Sequence, residues 1–157
     1  DFEYNADNVY HTEYILDAAT MLAWCQKQYP EDRLGVLAFS MGTFVSGVAF
    51  ATHPPDFFIA EGFYTDPEAV RRQIHDRQVQ LPQTVEADRE AAAKWAGPTL
   101  IFAGKADGTT TSAMATTYCE EHEQADCLLF EGGHLKGAAT LGVGDYIQQI
   151  IAFIENH

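Results

Sequence analysis

Apolar side chains recur at helical offsets through residues 7–28, at Tyr14, Ala18, Met21 and Cys25 and again at Ile15, Ala19 and Leu22. Pro30 lies just beyond, so the pattern predicts a helix that stops before it. The next apolar run, Leu34 to Phe39, is continuous rather than alternating and suits a strand buried on both faces. Thr43 to Thr52 returns to helical character and halts at Pro54 and Pro55. Phe57 to Gly62 predicts a second strand, Thr99 to Gly104 a third introduced by Pro98, and Cys127 to Phe130 a short fourth. Residues 67–96 hold two helices around Pro82, rich in Arg, Gln and Glu, and Ser112 to Glu123 holds another. In the last helix Ile147, Ile150, Ile151 and Ile154 form one apolar stripe.

A helix followed by four βα units, with strands apolar throughout, is the pattern of a parallel sheet covered by helices on both faces. The expected class is therefore α/β, one domain over residues 1–157 with no repeat or linker. Segment 63–97 is longer than a simple crossover requires and leaves room for a small cap over the sheet edge.

Composition narrows the partners. With 46% hydrophobic residues in 157, the chain can bury one real core. Its net charge of −14, with nine Lys and Arg, repels phosphate backbones, so no nucleic-acid partner is expected. No apolar run approaches the roughly 20 residues that span a bilayer, so no membrane partner is expected either. Three cysteines, Cys25, Cys119 and Cys127, are an odd count without framework spacing. Cys25 and Cys127 read as buried thiols, and Cys119 with His122 lacks the second pair that a structural zinc needs. Unpaired cysteines and the want of a signal-like segment favour the cytoplasm.

In an open parallel sheet, functional groups collect beyond the carboxyl ends of the strands. The first strand runs into Ala38-Phe39-Ser40-Met41-Gly42, a small-x-Ser-x-Gly turn that presents a hydroxyl between strand and helix. Small residues flanking such a turn avoid a Cβ clash. The third strand leads to Asp107, and the fourth to Gly132-Gly133-His134. A serine hydroxyl is a weak nucleophile near neutral pH, so it needs an imidazole to accept its proton. The imidazole in turn needs a carboxylate on its other nitrogen to fix its tautomer.

Through the turn at 38–42, the strand and acid at 98–108, and the Gly132-Gly133-His134 segment, the chain resembles the C-terminal portion of the α/β-hydrolase superfamily. In its compact spacing it is similar to small serine esterases and dienelactone-hydrolase-like proteins. The resemblance implies Ser40 as nucleophile, His134 as base, Asp107 as acid and the Met41 N–H as one oxyanion donor. It further implies a small ester or related acyl substrate, an acyl-enzyme intermediate, and no metal or organic cofactor. Dienelactone hydrolases usually carry cysteine as nucleophile, so Ser40 indicates ordinary serine ester hydrolysis. Asp66, which follows the second strand, is a second candidate acid. Phe63 and Tyr64 either line an acyl pocket or pack in the core. His53, His75, His122 and His157 read as solvated, and Lys136 and Glu131 as surface residues.

A complete α/β-hydrolase has further strands before the serine strand, and one of their loops supplies the second oxyanion donor. Only a helix precedes that strand here. Either another polypeptide supplies the missing strands, or the sequence is a fragment, or catalysis has been lost. Because an apolar edge along residues 34–39 invites pairing, another polypeptide, a separately supplied N-terminal half or a second copy, is expected to complete the sheet. The alternative function is a non-catalytic interaction or structural module of the same fold. A nucleotide-binding reading fails for want of a glycine-rich phosphate loop.

Overall fold

In the computed structural model, which describes residues 9–74 and 80–157, four parallel strands lie side by side in chain order. They are β1 (Gly35–Phe39), β2 (Phe57–Glu61), β3 (Thr99–Gly104) and β4 (Ala125–Phe130). Ala38 lies opposite Ala60, Ala60 opposite Ile101, and Ile101 opposite Cys127, so the carboxyl ends form one edge. Helix α1 (Thr12–Gln28) precedes the sheet, and α2 (Met41–Ala49) crosses from β1 to β2. Helices α3 (Pro67–Gln73) and α4 (Val85–Ala93) lie between β2 and β3, and α5 (Ser112–Glu121) between β3 and β4. After β4 come α6 (Gly137–Leu141) and α7 (Val143–Asn156).

Strand side chains alternate between two covered faces. Phe58, Ala60, Ile101 and Ala103 pack with Leu22, Ala49, Phe50, Ala115 and Tyr118, from α1, the α2 end and α5. Phe57, Ile59, Leu100 and Phe102 pack on the other face with Tyr146 and Phe153 of α7. Every position of β2 and β3 is buried, in keeping with their mostly apolar sequence, with Glu61 and Thr99 as the polar exceptions. A third cluster lies outside the sheet, where α4 rests on α2 through Ala92, Val45 and Val48, with Tyr10 and Phe44 between neighbouring elements. The Tyr10 hydroxyl donates to Asp88 of α4 at 2.6 Å and ties the start of α1 to that layer.

Several sequence expectations change. β1 is not buried on both faces: it is an outer strand, and Leu37 and Phe39 remain 50% and 45% exposed. Among the described residues no strand pairs with its outer side. The isoleucine stripe of α7 is split. Ile150 and Ile154 join Tyr146 and Phe153 against the sheet, while Ile147 and Ile151 are exposed. Helix α6 was not expected, since five residues carry no period to read.

Cys127 is not a free thiol. It forms a disulfide with Cys119, leaving Cys25 free. β4 returns alongside α5, bringing two Cα atoms eight residues apart in sequence to 6.3 Å, within bridging range. The cysteine argument for a reducing compartment therefore loses its basis. His122 is half-buried rather than solvated, with its ring stacked 3.8 Å from that of Tyr118. His53 is also half-buried, His157 is exposed, and His75 lies outside the described residues. No helix among the described residues is long and apolar enough to cross a membrane.

Candidate active site

β1 ends at Phe39, α2 begins at Met41, and Ser40 alone makes the turn between them. Its φ of 49° and ψ of −122° lie where L-residues seldom rest, at a cost on the order of 1–3 kcal/mol. Three hydrogen bonds hold it there. The Ser40 N–H donates to the Glu61 carbonyl at 2.8 Å, and Thr43 donates from its N–H and its hydroxyl to the Ser40 carbonyl at 2.9 and 2.7 Å. Gly42 is not sterically forced, contrary to the expectation from the motif. A Cβ there would meet Ala38 at an ordinary 3.8 Å. Met41 opens α2, so its N–H belongs to the first turn, where amides lack intrahelical acceptors and the helix dipole is positive.

The loop after β3 is laced to the loop after β4. Lys105 N–H donates to the Phe130 carbonyl and Ala106 N–H to the Gly132 carbonyl, each at 2.9 Å. Gly104 is required for this approach, because a Cβ would fall 2.5 Å from the Gly132 oxygen. Asp107 emerges buried. Its Oδ1 accepts from the Thr109 and Thr110 N–H groups at 2.8 and 2.9 Å, and its Oδ2 accepts from the Thr110 hydroxyl at 2.8 Å. With that carboxylate fixed, Oδ2 also lies 2.8 Å from Nδ1 of His134. On the far side of the ring, Nε2 lies 2.9 Å from Oγ of Ser40. A carboxylate can only accept, so Nδ1 donates to Asp107 and Nε2 is left to accept the serine proton. The His134 side chain stays 28% exposed against 3% for Asp107, so the open end of the row faces solvent.

Ser40, His134 and Asp107 thus meet beyond the carboxyl ends of β1, β4 and β3. Asp66 is occupied elsewhere. It caps α3, accepting from the Glu68 and Ala69 N–H groups at 3.0 and 3.3 Å, with Arg72 and Arg89 at 3.9 and 4.0 Å. Phe63 and Tyr64 are buried in core clusters, Phe63 against Phe58 and Tyr118 and Tyr64 stacked on Phe44. Glu131 is exposed and paired with Lys105, and Lys136 is exposed.

Two residues escaped the sequence reading. Thr110 sits three places after Asp107 in a threonine run, and its hydroxyl also lies 3.2 Å from His134 Nδ1. Glu61 ends a strand that is otherwise apolar, and it is buried, accepting from Gly137 N–H at 2.7 Å and the Tyr146 hydroxyl at 2.9 Å. An acid following four apolar strand residues is the signal that could have raised it. Among the described residues, no group of three or more His, Cys, Asp or Glu is placed to hold a metal ion.

The parallel sheet between helical layers, with Ser40, Asp107 and His134 beyond the carboxyl ends of its strands, has the α/β-hydrolase fold that the similar solved structures share. No protein-family model and no curated protein sequence matches the chain. Solved structures do. The chain is similar to the esterase Pf2001 of Pyrococcus furiosus at 16% identity and a TM-score of 0.73, covering 99% of this chain and 65% of that one. It is similar to an acetyl ester-xyloside bifunctional hydrolase of Caldicellulosiruptor lactoaceticus at 19% identity and a TM-score of 0.69, covering 93% and 66%. A monoacylglycerol lipase of Paleococcus ferrophilus matches at 15% identity and a TM-score of 0.64, covering 91% and 76%. The chain therefore spans less than two thirds of the Pyrococcus esterase that it matches almost throughout its own length.

Proposed function

We propose that this chain carries the reaction centre of a serine hydrolase acting on carboxylic esters or related acyl compounds. The observation that supports this best is the unbroken row from Ser40 Oγ through both His134 nitrogens to Asp107. As the serine oxygen attacks the ester carbonyl carbon, its proton passes to His134 Nε2, and Asp107 stabilises the imidazolium. The Met41 N–H, at the positive end of α2, is one donor to the oxyanion. Collapse of the tetrahedral intermediate breaks the bond to the alcohol, which leaves with the proton from Nε2. Water then repeats the sequence on the acyl-enzyme and frees the acid. The esterases and the lipase that share the fold support an ester as the substrate class. Residues 1–157 are read here as a single domain, with segment 63–97 long enough for a small cap over the sheet edge.

A fluorophosphonate probe tests the reading, because it forms a bond only with an activated serine. Labelling that disappears in Ser40→Ala and in His134→Ala is the expected result. Equal labelling of Ser40→Ala and the parent chain would remove Ser40 from the reaction.

A further inference from the structure

We infer that Glu61 is a positioning residue that holds Ser40 and His134 in register; this rests on the serine-hydrolase reading above. Glu61 ends β2, between the strand that delivers Ser40 and the one that precedes Asp107. Its backbone and its side chain serve different halves of the site. The carbonyl accepts the Ser40 N–H at 2.8 Å, fixing the strained turn. The carboxylate accepts the Gly137 N–H at 2.7 Å, three residues beyond His134, where α6 begins.

A buried carboxylate is costly unless its oxygens are satisfied. Here each oxygen has a donor, Gly137 on Oε1 and the Tyr146 hydroxyl on Oε2, so the side chain is held from two elements of one face. The fit admits little else. A Cβ on Gly137 would lie 2.9 and 3.0 Å from the two Glu61 oxygens and 2.8 Å from the Tyr146 ring. The segment carrying His134 is thus anchored on one side by backbone bonds to the Asp107 loop and on the other by Glu61. Without the second anchor, Leu135, whose φ is 53°, is free to relax, and the ring beside it loses its fixed approach to Ser40. Misplacement of reacting groups by about 1 Å can cost on the order of a hundredfold in rate.

Glu61→Asp and Glu61→Gln separate reach from charge. Aspartate keeps the charge but is one methylene short of Gly137, whereas glutamine keeps the reach and the acceptor oxygen. The expected result is that Glu61→Asp slows fluorophosphonate labelling of Ser40, and ester turnover, by about ten- to a hundredfold with KM little changed. Glu61→Gln recovers most of the rate, and Tyr146→Phe, which leaves the Gly137 bond, loses less than Glu61→Asp. Wild-type labelling of Glu61→Asp overturns the inference, as does a loss in Tyr146→Phe equal to that in Glu61→Asp, which assigns the effect to packing. The imidazole of His134 gives a readout independent of activity. Its Nδ1 proton, held by Asp107, should give a downfield proton resonance that broadens in Glu61→Asp and persists in Glu61→Gln. Absence of labelling in the parent chain would defeat the hydrolase reading alone. An unchanged resonance in Glu61→Asp would defeat the positioning role alone.

Discussion

A Cβ placed on Gly62 would stand 2.9 Å from Cε1 of His134. It would also lie 3.2 Å from Leu135 and 3.3 Å from the Ser40 nitrogen, so the residue after Glu61 is walled in by the site itself. Its φ of 70° is one that glycine adopts freely and other residues do not. Gly62→Ala should therefore push the imidazole away from Ser40 as well as straining the backbone. The expected outcome is a fall in turnover of about a hundredfold, with a destabilisation of only about 1–3 kcal/mol. Kinetics together with denaturant unfolding would check this. Full activity in Gly62→Ala would show that the ring does not lie against this backbone.

The two candidate acids differ in what their carboxylates touch, and substitution should expose that. Asp107→Asn removes the acceptor that fixes the His134 tautomer, and turnover should fall by up to about 10⁴ with the fold intact. Asp66→Asn keeps an oxygen that can cap α3 and loses only the charge beside Arg72 and Arg89, so it should cost well under about 1 kcal/mol of stability and little activity. The reverse pattern would transfer the acid role to Asp66. Thr110→Val offers a finer check. It deletes one donor to Asp107 Oδ2 while leaving the two backbone donors to Oδ1, so its effect on turnover should be well short of that of Asp107→Asn.

The parts of this site that were legible in the sequence are those with a local cause. Ser40 follows an apolar run and precedes a helix, and Asp107 and His134 likewise follow strands, so topology alone gathers them at one edge. What stayed hidden depends on distant partners. Glu61 becomes meaningful only when Gly137 and Tyr146, 76 and 85 residues away in sequence, fold against it. The Cys119–Cys127 bridge depends on how β4 returns beside α5, which residue spacing does not state. The α7 stripe misled for a related reason: periodicity reports an apolar arc, and only the position of the sheet decides that Ile150 lies inside it and Ile147 outside.

Buried tyrosines should set the alkaline limit of stability. Burial pushes the Tyr118 hydroxyl up to about 12, partly offset by a hydrogen bond with Thr99. Burial pushes Tyr10, Tyr64 and Tyr146 higher still, with Asp88 adding to the effect at Tyr10 and Glu61 at Tyr146. In the unfolded chain a tyrosine releases its proton near pH 10. Above that pH the unfolded state binds fewer protons than the folded one, so stability falls as pH rises. The contribution is complete below about pH 10 and is lost as pH rises through about 12. Phenolate absorbance from these four tyrosines should therefore rise together with loss of helical circular dichroism. Smooth titration of all seven tyrosines near pH 10 with the helices still formed would contradict this packing.

The outer side of β1 makes the last prediction. Leu37 and Phe39 are half exposed, and by alternation they point to the face that α7 covers elsewhere, where Val143, Ile147 and Ile151 are exposed as well. An apolar strand with unpaired N–H and C=O groups is a template for another strand. We propose that further strands cover this edge, in keeping with the smaller share of the Pyrococcus esterase that the chain spans. Purified alone, the 157-residue chain should self-associate as its concentration rises, measured by size-exclusion chromatography with light scattering. Leu37→Lys places a charge on the exposed face and should shift the population toward monomer. A parent chain that stays monomeric at every concentration and unfolds cooperatively would show that β1 tolerates water as a true outer edge, and the proposal would fail.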